Sequence, residues 1–190
     1  MVKVFLFMMI SLDGYFEGPN HDISWHNVDK EFNEFAANMM NDTGAILFGR
    51  RTYELMASYW PTAKPTDSND AMIAQKMNNL PKVVFSRTLK SVHEEANWKN
   101  IKLVKSNIAE EVQKLKRQGG KNIAVLASSN LCATLIKLNL LDEIRVMINP
   151  IVLGEGTPLF KGLDKRLALK LTKTSDFVSG NSLLYYGVVT

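Results

Sequence analysis

The chain has 190 residues, 46% of them apolar and 22% charged, with a net charge of +4 and a pI near 9.1. That length and ordinary composition favour one globular domain spanning 1–190 and exclude a collagenous, low-complexity or disordered chain. Cys132 is the only cysteine, so no internal disulfide forms. No run approaches the ~20 apolar residues of a membrane helix, and a cytoplasmic protein is expected.

Val2–Ile10 is nearly continuous apolar sequence and predicts a first strand covered on both faces. Such a strand explains this segment better than a signal peptide, because it leads into Ser11-Leu12-Asp13-Gly14 and not into a small-residue cleavage site. After an irregular stretch, Asp29 to Met40 places Phe32, Phe35, Ala36, Met39 and Met40 on one helical stripe, with Asn27 or Asp29 near its start. Ala45–Phe48 reads as a short buried strand that ends in Gly49-Arg50-Arg51-Thr52 before a helix around Tyr53–Tyr59, stopped by Pro61. Thr62–Asp70 is the longest loop expected, followed by a short helix around Ala71–Met77.

Lys82–Phe85 predicts a third strand ending in Ser86-Arg87-Thr88, and Ile101–Val104 a weaker one before a helix lined by Ile108, Val112 and Leu115. Gly119–Gly156 then reads strand, helix, strand. Ile123–Leu126 is the first strand, Leu131, Cys132, Leu135 and Ile136 mark the helix, and Ile144–Ile148 is the second strand. Ser128, Ser129 or Asn130 is expected to cap that helix by accepting a hydrogen bond from an orphan N–H. The runs around Leu167–Thr172 and Ser182–Val189, separated by the turn signal Ser179-Gly180-Asn181-Ser182, predict an antiparallel pair. The order implies an α/β fold with a mixed, mostly parallel sheet and helices on both faces.

Three predicted parallel strands end in small or basic residues, at Gly49-Arg50-Arg51-Thr52, Ser86-Arg87-Thr88 and Ala127-Ser128-Ser129-Asn130. If these strands are neighbours, one sheet edge gathers three arginines, several hydroxyls and two helix N-termini, which suits a polyphosphate such as a dinucleotide cofactor. Taken singly, each is better explained as a solvent-facing charge, a cap or a turn, so their coincidence carries the argument. Gly154-Glu155-Gly156-Thr157-Pro158 lacks the continuation of a dinucleotide fingerprint and reads as a loop after Val152-Leu153 that brings backbone close to a ligand or turns the chain.

His21, His26 and His93 have no metal-ligand spacing, so no metal is expected. Asp13, Asp29 and Glu31 are the carboxylates placed for proton transfer, the last two beside Phe32 and Phe35, whose walls would raise a carboxyl pKa. As helix-start acids and a turn former they also have plain structural readings. The basic residues are dispersed. Their densest group, Lys161, Lys165, Arg166, Lys170 and Lys173, has no interleaved aromatics, which points away from nucleic acid.

Ser11-Leu12-Asp13-Gly14, Trp25 ahead of the first helix, Gly49-Arg50-Arg51-Thr52-Tyr53, Ser86-Arg87 and Pro150 to Phe160 together resemble the dihydrofolate reductase-like superfamily. Within it the chain is most similar to the C-terminal reductase domain of bifunctional riboflavin-biosynthesis proteins. The resemblance implies a three-layer α/β/α fold with antiparallel C-terminal strands, an NADPH site and a homodimer. Carried over, Gly49, Arg50, Arg51 and Thr52 would hold cofactor phosphates, and Ser86 and Arg87 would lie near the adenosine 2′-phosphate. Ala127, Ser128, Ser129, Asn130 and Leu131 would replace the family's glycine-rich pyrophosphate loop. Trp25, Phe32, Leu153 and Gly154 would face a substrate. The implied function is NADPH-dependent hydride transfer to a C=N or C=O bond of a small pterin- or pyrimidine-like substrate, with a binding module that does not turn over as the alternative.

Overall fold

The computed structural model describes residues 2–95 and 97–189. β1 (Val4–Ile10) runs through the interior, and its alternation feeds two cores. Val4, Leu6 and Met8 turn to one face of the sheet, and Phe5, Phe7 and Met9 to the other. Fully burying each of these side chains contributes ~1.5–3 kcal/mol, which is why a strand without polar alternation is stable only at the centre.

The chain continues through β2 (Tyr15–Glu17), α1 (Lys30–Asn41), β3 (Thr43–Gly49), α2 (Arg50–Tyr59), α3 (Ser68–Asn79), β4 (Lys82–Phe85) and β5 (Ile101–Val104). It ends with α4 (Ile108–Gln118), β6 (Asn122–Leu126), α5 (Ser129–Lys137), β7 (Glu143–Ile148), β8 (Thr157–Pro158), β9 (Leu169–Asp176) and β10 (Ser182–Val188). Eight strands form one sheet in the order β5-β4-β3-β6-β1-β7-β10-β9. β5 through β7 in that order are parallel, while β10 pairs antiparallel with both β7 and β9. Val112, Leu131, Cys132 and Leu135 from α4 and α5 fill the core on one face. Ala36, Met40, Tyr53, Ile73 and Met77 from α1, α2 and α3 fill the other. This is the three-layer α/β/α arrangement, with antiparallel C-terminal strands, that the sequence predicts.

Local chemistry explains most boundaries. Asp29 caps α1 by accepting from Phe32 N at 2.7 Å, and Asp67 caps α3 by accepting from Asn69 N and Asp70 N at 2.8 and 2.9 Å. The Asp67 cap carries α3 three residues into the stretch expected to be loop. The expected serine cap of α5 is not made. Ser128 lies in the left-handed region (φ 70°) and its side chain accepts no capping bond. Among the described residues no helix is long and apolar enough to cross a membrane.

Two features escape the sequence pattern. β2 and β8 pair with each other as a separate two-stranded sheet that lies outside the main one. At their junction a Cβ on Gly156 would overlap the carbonyl oxygen of Glu17, so the loop expected to approach a ligand or turn the chain brings its backbone against β2. The second is an asparagine cluster. The fully buried Asn149 accepts from Asn27 N at 2.8 Å, Asn27 Nδ2 donates to Ser179 O at 3.0 Å, and Asn181 Nδ2 donates to Asn27 O at 2.9 Å. These bonds pin the segment ahead of α1 to the sheet end and to the β9–β10 turn.

Candidate active site

Because β4, β3 and β6 are consecutive in the sheet, their C-terminal ends do come together, and they open into a cleft of about 1520 Å³. Such a crevice beyond the carboxyl ends of parallel strands is where open α/β sheets bind ligands. One half is polar and basic. Arg50, Arg51 and Thr52 line it from the first turn of α2, Ser86 and Arg87 from the end of β4, and Lys105 from the end of β5. Gly49, Ala127, Ser128, Ser129, Asn130 and Leu131 complete this wall. A Cβ on Gly49 would overlap Ser128 Oγ, so the β3 and β6 loops touch here and a larger residue would force the Ser128 side chain to turn away.

These groups are not equally free. Arg50 Nε donates to Glu54 at 2.7 Å and its Nη1 to Thr88 Oγ1 at 3.1 Å. Ser86 Oγ accepts from Leu89 N at 3.0 Å, which folds the loop back on itself. Ala127 and Ser128 hold positive φ (54° and 70°) without being glycine, a conformation that costs roughly 1–2 kcal/mol per residue. Ala127 and Ser128 thus hold a left-handed backbone that glycine would adopt without this cost.

The other half is apolar, lined by Phe32, Met39, Met56, Trp60 and Met77, with Asn33 and Asp70 at its far side. Asn33 Nδ2 donates to Asp70 Oδ1 at 2.8 Å. His26 also faces the cleft. Its Nε2 is buried with no hydrogen-bond partner, and burial holds the imidazole below its ordinary pKa of 6.5 against the contact with the Phe16 carbonyl. Trp25 lies behind it, with ring centroids 4.5 Å apart edge to face and its Nε1 donating to Asp22 O at 3.0 Å. Trp25 therefore orients His26 and does not itself line the cleft.

The structure turns the three expected proton-transfer carboxylates elsewhere. Asp29 is consumed by the α1 cap, and Glu31 Oε2 accepts from Val178 N at 2.8 Å. Asp13 accepts from Leu153 N at 3.1 Å and Gly154 N at 2.8 Å. Hydrogen bonds from the Ser11 side chain and from those two N–H groups pull its carboxyl down to about 2. Leu153 and Gly154, expected at the substrate, thus serve to bind Asp13. The carboxylates that line the cleft are Glu17 and Asp70. Glu17 is buried, with its oxygens 3.0 Å from His21 Nδ1 and 3.5 Å from Arg51 Nη2. Sequence reasoning missed Glu17, His26 and Lys105, whose only signal is their place beside the motifs already described.

The model of the RibD C-terminal domain family matches residues 2–183. Protein YyaP of Bacillus subtilis (strain 168) is 35% identical over 186 residues, covering 97% of this chain and 94% of the relative. Among solved structures, a putative riboflavin biosynthesis protein from Shewanella sp. PV-4 superposes with a TM-score of 0.76 at 22% identity, covering 100% of both chains. Dihydrofolate reductase from Enterococcus faecalis, solved with NADP(H) and RAB-propyl, superposes with a TM-score of 0.65 at 13% identity, covering 99% of this chain and 97% of that one. The chain belongs to the RibD C-terminal domain family, and its fold is shared with dihydrofolate reductase.

Proposed function

We propose that the protein is an NADPH-dependent oxidoreductase that delivers hydride to a C=N or C=O bond of a small pterin- or pyrimidine-like substrate. The observation that supports this most is the division of one cleft into a basic half, carrying Arg50, Arg51, Arg87 and Lys105, and an apolar half walled in part by His26. A phosphorylated dinucleotide fits the first half chemically, since three separate strand ends and two helix N-termini supply cations and N–H groups to it.

When bound, the nicotinamide supplies the hydride. Arg51 and the N–H groups at the start of α2 and α5 hold the pyrophosphate, and Arg87 with Lys105 takes the 2′-phosphate. Phe32, Met56 and Trp60 exclude water from the substrate ring and orient it. His26, neutral at pH 7 because of its burial, lines this half, and its Nε2, buried and without a partner, becomes the hydrogen-bonding group for the substrate's polar edge when the ring turns to the cleft.

The test is NADPH oxidation followed by absorbance across a panel of pterins and pyrimidines. Turnover with at least one ring system, and a lower rate with NADH at equal concentration, is the expected result. Saturable NADPH binding with no oxidation across the panel would replace this reading with that of a cofactor-binding module.

A further inference from the structure

Glu17 is the one buried carboxylate in the cleft wall among the described residues, and it reaches across the cleft. It sits on β2, a three-residue strand whose sheet partner is the two-residue β8. Its side chain is only 9% exposed, yet Arg51 of α2, on the body of the protein, is 61% exposed. Arg50 is already engaged by Glu54 and Thr88, whereas Glu17 is the carboxylate paired with Arg51.

We propose that Glu17 sets the anion affinity of the α2 phosphate subsite by acting as an internal competitor for Arg51. This rests on the reading of α2 as a phosphate-binding element. A guanidinium presents a planar fork that suits carboxylate and phosphate alike, so the two anions exclude each other at Arg51. The resident pair is weak, being 3.5 Å long and open to solvent on the arginine side, and a doubly charged phosphate displaces it. Once Arg51 turns to the phosphate, Glu17 keeps only His21, which lies on the same flap. The segment from Tyr15 to Ile23 then loses its charged tie to α2. Phosphate binding and release of the flap are therefore one event, and Glu17 determines how much affinity that event costs.

Inorganic pyrophosphate is the probe, titrated calorimetrically at fixed ionic strength into the wild type, Glu17→Gln, Arg51→Gln and the double variant. Backbone hydrogen exchange over residues 15–23 is followed in the same proteins without ligand. Glu17→Gln should bind pyrophosphate about threefold tighter or more, and that gain should vanish in the Arg51→Gln background. Flap exchange should rise in both single variants and, in the wild type, on saturation with pyrophosphate. If Arg51→Gln weakens pyrophosphate but Glu17→Gln leaves it unchanged or weaker, competition by Glu17 is overturned while the phosphate site stands. If Arg51→Gln leaves pyrophosphate affinity unchanged, the phosphate site itself fails and the competition with it. Unchanged flap exchange in both single variants would overturn the coupling.

Discussion

Lys82→Ala should destabilise the protein by about 3–5 kcal/mol, the cost of breaking a buried charged network and leaving a cavity. Lys82 opens β4 with its side chain 1% exposed. Its ammonium donates to three backbone carbonyls, Asn78 O at 2.9 Å and Leu80 O and Lys99 O at 2.8 Å, and lies 4.5 Å from the Trp98 ring centroid. Two of those carbonyls belong to the end of α3, where a cation is favoured by the helix dipole, and the third precedes β5. One side chain therefore ties α3 to two strands. Lys82→Met fills the space without donating, and should cost about 2–3 kcal/mol from the Leu80 and Lys99 carbonyls it leaves unpaired, while Asn78 O still accepts from Lys99 N.

The same site gives a pH signature. Burial pushes the Lys82 ammonium down from 10.5 to about 8, against the pull of Glu94. Between those values the unfolded chain binds more protons than the folded one, so wild-type stability should rise with pH relative to Lys82→Met. Chemical denaturation from pH 7 to pH 10 reads this directly. A stability difference that stays flat across the window would mean that the three carbonyl acceptors offset burial completely.

Replacing His26 with phenylalanine should lower turnover about 100-fold while changing NADPH affinity less than about twofold, the lower end of the range for removing one preorganised hydrogen-bonding group. The substitution keeps a planar ring against Trp25 and deletes the unpartnered Nε2. Since burial depresses the His26 pKa below 6.5, the neutral form prevails at pH 7 and wild-type activity should fall only as pH drops below that value. Stability carries the same sign. Below pH 6.5 the unfolded chain takes up a proton that folded His26 resists, so the wild type should lose stability relative to His26→Phe on acidification. Equal turnover in the two proteins would remove His26 from the reaction.

The central strands were legible because each is an apolar run closed by a turn former, whereas the alternating edge strand β9 runs four residues past the expected Thr172. Lys82–Phe85 after Pro81 and Ile101–Val104 have the observed limits, and Ile123–Leu126 is short by one residue. The basic half of the cleft followed from three polar strand ends and the single assumption of adjacency, which the sheet order confirms. β2 and β8 were illegible, since three- and two-residue strands have no period and find each other only across more than a hundred residues. The acids were misplaced for a different reason. Spacing puts Asp29 and Glu31 at the start of α1 and already offers Asp29 as its cap, but it does not reveal that Glu31 reaches the β9–β10 turn. Glu17 and His26 lie in the irregular segment around the flap, where only tertiary contacts decide what faces the cleft.

The thermal midpoint with NADPH, with NADH and without ligand, at matched concentrations, tests the phosphate-reading cleft most directly. At ~100 times Kd a ligand adds about 2.7 kcal/mol, which moves the midpoint of a domain this size by several degrees. The cleft described here predicts that shift with NADPH and much less with NADH, because Arg87 and Lys105 have a 2′-phosphate to bind only in the former. No shift with either nucleotide at high concentration would contradict it.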